Sequence, residues 1–177
     1  WTKYHISYTI SQMPLTPYHF GPAGLIGYIF RKWIDLPVFA LANIVIDVEV
    51  LLVNLMHLGR PYHRLAHTFL IGAAIGAIWG LVAYSGLLIF TWFMKIIRIP
   101  YQTNAKKMIL SGILGIWLHV LLDGIYHYDV TPFWPAQRNY LFNLLSHSQV
   151  EWICIICLGI FILLYVLSLK RQSADKT

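Results

Sequence analysis

The sequence predicts an all-α polytopic membrane protein, a bundle of about five transmembrane helices. Three observations carry that expectation. Of the 177 residues, 58% are hydrophobic and only 11% are charged, where a soluble domain carries roughly 25% charged residues. The mean hydropathy is accordingly high, at +0.63. The apolar residues gather in four long runs and one shorter one, and prolines and basic clusters occupy the gaps. A chain of this length suits one domain.

The first candidate helix covers about 19–34 (HFGPAGLIGYIFRKWI). It is short and glycine-rich, so it either crosses with help or lies in the interface. The runs at about 36–57, 68–94, 108–127 and 150–169 are each near or above the length that spans about 30 Å at 1.5 Å per residue. Pro37, Pro61, Pro100, Pro132 and Pro135 interrupt the chain between them, as helix breakers do. Trp33, Trp79, Trp92, Trp117, Trp134 and Trp152 fall mostly near the expected helix ends, consistent with interfacial belts. The organisation expected is an extension over 1–12, a single transmembrane domain over 13–170 and a cytoplasmic tail over 171–177. No cleavable signal peptide is visible, and Met13 resembles a more natural start than Trp1.

The net charge of +6 is topology information rather than a sign of nucleic-acid binding, because the basic residues sit in short clusters between apolar runs. Arg31 and Lys32 close the first segment. Lys95, Arg98, Lys106 and Lys107 follow the third, and Lys170, Arg171 and Lys176 follow the last. Placing these three sets in the cytoplasm leaves only Arg60, Arg64 and Arg138 outside, which is the positive-inside asymmetry. The expected protein is integral to the cytoplasmic membrane, with its N-terminus outside and its C-terminus in the cytoplasm. Cys154 and Cys157 are i,i+3 neighbours in an apolar run with no second pair. They read as buried thiols rather than as a zinc or redox motif.

Against this apolar background, histidines and carboxylates recur at the outer side. Ionisable groups inside a bilayer are costly, so their clustering points to function, and His with carboxylate is a ligand set for divalent metals. His119 and Asp123 are i,i+4 on one helix face, with His127 about one turn further on. His63 and His67 repeat the i,i+4 spacing in HRLAHT, at the start of the third helix. Arg64 stands where a metalloprotease helix would carry its Glu. Asp47 and Glu49 lie about 15–18 Å into the second helix. They are about 200° apart around it, so one is expected at the metal and the other behind a ligand. His19 sits on a turn built by Pro17, Gly21 and Pro22. The expected metal ligands are His19, Asp47, His63, His67, His119, Asp123 and His127, with Asp47 or Glu49 as general base. Asp129 either supports a ligand histidine or only ends the helix. His147 is a further outer candidate, and His5 and His57 lack partners.

Four segments, MPLTPYHFGPAGLIG, NIVIDVE, HRLAHTFL and HVLLDGIYHYDVTPFWP, resemble in order the membrane-bound metal-dependent hydrolases of bacteria and archaea. The resemblance runs from Met13 to about Pro135. More distantly, the ligand order is similar to that of zinc-dependent phospholipases C; carried over, it would place His19, Asp47, His67, His119 and Asp123 at the metal. The resemblance implies one or two divalent ions, with zinc the expected metal, and hydrolysis of a lipid or lipid-linked phosphoester at the outer leaflet.

Three other readings compete. A silent accessory subunit of a larger membrane complex would use glycine- and aromatic-rich faces to dock protein partners or a second copy. A haem protein would need histidines on facing helices, but has no use for the paired carboxylates. An ion or proton transporter would need a polar path on the cytoplasmic side, where few polar residues occur.

Overall fold

A computed structural model describes residues 16–59 and 61–174. The expected extension over 1–12, Met13, His5, Arg60, Lys176 and the end of the tail lie outside the described residues. Among those described, the structure is all-helical. A 3-10 turn, Thr16–His19, leads into α1 (Phe20–Ile29), which is followed by α2 (Leu36–Leu55). A second 3-10 turn, Leu65–His67, precedes α3 (Phe69–Ser85), and then come α4 (Leu87–Ile96), α5 (Ala105–Tyr126) and α6 (His147–Ala174).

Capping residues set several of these boundaries. Asp35 caps α2 by accepting from Val38 N, with Pro37 in the first turn, where its missing N–H costs nothing. Thr68 caps α3 and Asn104 caps α5 in the same manner. The 68–94 run was expected to be one helix, but it breaks. After Ser85 and Gly86 the chain turns by 78° into α4, and a Gly/Ser pair is a common cause of such a kink. The hydropathy of the run does not change across the break, so composition alone does not reveal it.

Three helices, α2, α5 and α6, are long and apolar enough to cross a membrane, and α3 with α4 makes a fourth if the bent pair counts as one span. The ten-residue α1 rises only about 15 Å, so the shortest of the five expected segments reaches about half-way. The core of the molecule is the packing of α2, α3 and α5. Ala42 and Ile46 of α2 meet Ile116 and Val120 of α5, with Phe69, Ile75 and Trp79 of α3 against them. Trp79 Nε1 also donates to Val38 O at 2.9 Å.

The approach of α3 to α5 is set by small residues. A Cβ added at Gly112 would stand 2.1 Å from Gly76 O, and one at Gly76 would stand 2.6 Å from Gly112 O. The two backbones touch there, and only glycine permits it. Gly115 does the same for α2, since its Cβ would lie 2.5 Å from Phe39 O. α6 is the least enclosed helix and rests mainly on α1, with Val150 and Cys154 its buried residues.

At one end of the bundle the buried Asp35 carboxylate ties the segments together. It accepts from Tyr101 OH at 2.8 Å and from the Thr103 hydroxyl, while its backbone N–H donates to Ser111 Oγ at 2.7 Å. Nearby, Lys107 Nζ donates to Arg31 O at 2.8 Å and Gln172 Nε2 to Arg98 O at 3.1 Å. The basic residues Arg31, Arg98 and Lys107 therefore share one end of the molecule.

The glycine contact yields a measurable expectation. Gly112→Leu should destabilise the protein by about 3 kcal/mol or more, since neither backbone can yield without parting the helices. Gly159→Ala, with nothing within 4 Å of the added carbon, should keep or raise the melting temperature in detergent, since Ala is the better helix former.

Candidate metal centre

At the end of the bundle opposite Asp35, three segments distant in sequence deliver polar side chains to one place. α5 contributes His119 and Asp123 one turn apart, and their side chains meet, His119 Nε2 to Asp123 Oδ2 at 2.9 Å. α2 contributes Asp47, whose Oδ1 is 3.1 Å from His119 Nε2 and 3.6 Å from His67 Nε2. The turn before α3 contributes His67, whose Nε2 is also 3.8 Å from Asp123 Oδ2. One donor atom from each of Asp47, His67, His119 and Asp123 lies within 4.8 Å of the other three.

This group has the chemistry of a cation site. Its two nitrogens and two carboxylates are donors that suit zinc and related divalent ions. His67 and His119 are wholly buried and Asp123 nearly so, while the Asp47 side chain is 24% exposed and forms the open edge. His67 Nε2 is buried and has no hydrogen-bond partner. An unsatisfied buried nitrogen is costly, and an ion between it and the carboxylates would satisfy all of them. The buried His/Asp cluster could therefore hold a metal ion.

Glu49 stands behind His67 rather than in the cluster. Its carboxylate lies 3.0 Å from His67 Nδ1 and accepts from the backbone N–H groups of Arg64 and Ala66 at 2.9 and 3.0 Å. Asp47 and Glu49 thus reach opposite edges of one imidazole, which reconciles their separation around α2 with a shared target. Burial alone would lower the pKa of His67, but the neighbouring carboxylates of Asp47 and Glu49 raise it above the ordinary value. Where no cation is bound, a proton on this ring is the natural counter-charge.

His19, on the 3-10 turn before α1, lies with Nε2 3.1 Å from Asp123 Oδ1, and its ring stacks on His119 at 4.3 Å between centroids. Both oxygens of Asp123 are thereby engaged. His63 lies in the loop before Leu65 rather than on a helix, so its spacing from His67 is not a helical one. It still arrives beside the cluster, with its ring 4.7 Å from that of His67. Asp129 holds it there, with Oδ1 3.0 Å from His63 Nδ1 and Oδ2 accepting from Tyr62 N at 3.0 Å. Burial would raise the Asp129 pKa, but the hydrogen bonds and charge of His63 keep it down at about 2. His127 ends α5 as its C-cap, and its ring lies 4.4 Å from His63. Burial pushes its pKa down to about 4, so the ring is neutral at pH 7.

Other candidates stand apart. His147 Nε2 lies 3.1 Å from Tyr126 O, and the Arg64 guanidinium is exposed, donating to the carbonyls of Pro61 and Leu58. His57 is an exposed residue with φ +52°. Sequence signals the Asp35 N-cap, as Asp before Leu-Pro, but not the network around its carboxylate. A small cleft between α5 and α6, lined by Tyr18, Leu122, Tyr126 and Val150, reaches His19 and Asp123.

The contact of Glu49 with His67 supplies a test. Glu49→Gln keeps the shape but removes the charge that orients the ring. Affinity for zinc, measured by competition with a chelator, should fall about 10- to 100-fold. Unchanged affinity would mean that His67 is not a ligand.

Comparison with protein-family models, with curated proteins and with solved structures finds no match to this chain. The likeness to membrane-bound hydrolases therefore rests on the sequence motifs themselves.

Proposed function

We propose that this protein is a membrane-embedded, metal-dependent hydrolase acting on a lipid or lipid-linked phosphoester from the extracytoplasmic side. The observation that carries the reading is the group of Asp47, His67, His119 and Asp123 within 4.8 Å of one another, placed at one end of an apolar bundle. A bound zinc ion would supply acidification of water and stabilisation of charge on an attacked phosphoryl or acyl centre.

The chain's own residues support that chemistry. Asp123 is fixed through both oxygens by His19 and His119. Glu49 orients His67 so that Nε2 faces the cluster. Asp47, on the open edge, is the residue placed to take a proton from water. The small cleft reaching His19 and Asp123 is lined by Tyr18, Leu122, Tyr126, Val150, Glu151 and Cys154. A bis-His haem site needs two rings facing across a macrocycle, whereas these histidines meet carboxylates and one another.

The sidedness follows from charge. Arg31, Arg98 and Lys107 lie at the end opposite the cluster, and Lys170 and Arg171 close α6 at that end too. By the positive-inside rule that end is cytoplasmic and the cluster faces outward. A reporter inserted between α4 and α5 should be active only as a cytoplasmic fusion. Activity of a periplasmic reporter at that site would overturn the orientation.

For the activity, elemental analysis of the detergent-purified protein should find zinc, lost in His119→Ala and Asp123→Ala. Phospholipid or lipid-pyrophosphate substrates should be cleaved by the wild type, and Asp47→Asn should be slower by about 100- to 10,000-fold, the range for losing a general base. A wild type that takes up no metal after zinc is added back would sink the hydrolase reading and favour the accessory-subunit role.

A further inference from the structure

A second group of donors adjoins the first. His63 comes from the loop before α3, and His127 and Asp129 come from the segment that leaves α5. One donor atom from each of the three lies within 4.8 Å of the other two. His63 Nδ1 is 3.0 Å from Asp129 Oδ1, and the rings of His63 and His127 are 4.4 Å apart. The side chains of His63 and Asp129 are each only 10% exposed. None of the three belongs to the four-residue cluster, yet His63 Nε2 is 3.6 Å from Asp123 Oδ2.

We infer that His63, His127 and Asp129 bind a second divalent cation beside the first, with the Asp123 carboxylate between the two. The inference rests on the metal reading of the first cluster, though not on the identity of the substrate. Its chemistry differs from that of its neighbour. The first cluster offers four protein donors, enough to close a tetrahedral shell, whereas the second offers two nitrogens and one oxygen. A shared Asp123 carboxylate would complete that shell to four, and water or substrate would enter by expansion to five positions, as at catalytic zinc. Paired ions that share a carboxylate clamp both the attacking and the leaving oxygen of a phosphoester. The cleavage itself requires only water: its oxygen bonds to phosphorus, the ester P–O bond breaks, and the departing alkoxide takes up a proton.

The alternative is that Asp129 only holds His63 in place, and metal stoichiometry separates the two. The full-length protein in detergent is stripped with chelator, loaded with zinc and desalted, and zinc is counted by elemental analysis. Two equivalents are expected for the wild type, and one each for His127→Ala and Asp129→Ala. The retained equivalent reports that these variants are folded. Manganese loading gives an independent reading: the wild type should show a spin-coupled pair by electron paramagnetic resonance, and His127→Ala an isolated ion. A single equivalent in the wild type, or two in both variants, overturns the inference. Two bound ions without hydrolysis of any phosphoester would leave the second site standing and sink the hydrolase reading. Hydrolysis by a protein holding one ion would do the reverse.

Discussion

The Asp123 carboxylate is the group around which the rest of the molecule is arranged. It is almost wholly buried on an apolar helix, where an uncompensated charge would be prohibitively expensive. Its compensation comes from four histidines on three separate segments: His19 before α1, His63 and His67 before α3, and His119 on α5 itself. These partners arrive from three parts of the chain, so the starts of α1 and α3 and the C-terminal half of α5 are tied to this one residue. The hydrogen bonds from Phe69 N to Pro132 O and from Trp117 Nε1 to Phe69 O draw the same segments together through backbone groups.

That arrangement needs helices in closer contact than leucine-sized side chains permit. The backbones of α3 and α5 touch at Gly76 and Gly112, and α2 and α5 approach at Gly115. Glycine-rich faces that, taken from sequence alone, could serve to dock a partner are used within the chain. Asp35 secures the far end of the same bundle, so α2 is held by one carboxylate at its start and offers another, Asp47, near its middle. The bundle is thus clamped at one end by neutral donors to a carboxylate and at the other by histidines.

Much of this was legible because hydropathy and ionisable residues contradict each other in a membrane segment. The helical runs stood out by composition, and His19, His67, His119 and Asp123 stood out by their cost. What sequence could not resolve were features decided by three-dimensional direction. Asp47 and Glu49 both serve His67, but which of them faces the cluster depends on which imidazole nitrogen each side chain reaches. His63 lies off the helix that its spacing implied, and its place is set by Asp129, 66 residues away. The Asp35 network is hidden in sequence because its partners Tyr101, Thr103 and Ser111 are 66 to 76 residues distant. The break at Gly86 is marked in sequence only by the Ser85–Gly86 pair, within a run whose hydropathy does not change.

The turn at Gly86 has a mechanical consequence. It ends α3 after 17 residues, whereas α6 continues for 28. At 1.5 Å per residue these helices measure about 26 and 42 Å, on either side of a hydrocarbon layer of about 30 Å. Only 150–169 of α6 is apolar, about 30 Å, so α6 matches the layer and α3 falls a few ångströms short of it. A mismatch of that size costs only fractions of a kcal/mol per ångström. The 78° turn at Gly86 instead directs the rest of the apolar run, α4, across the line of α3.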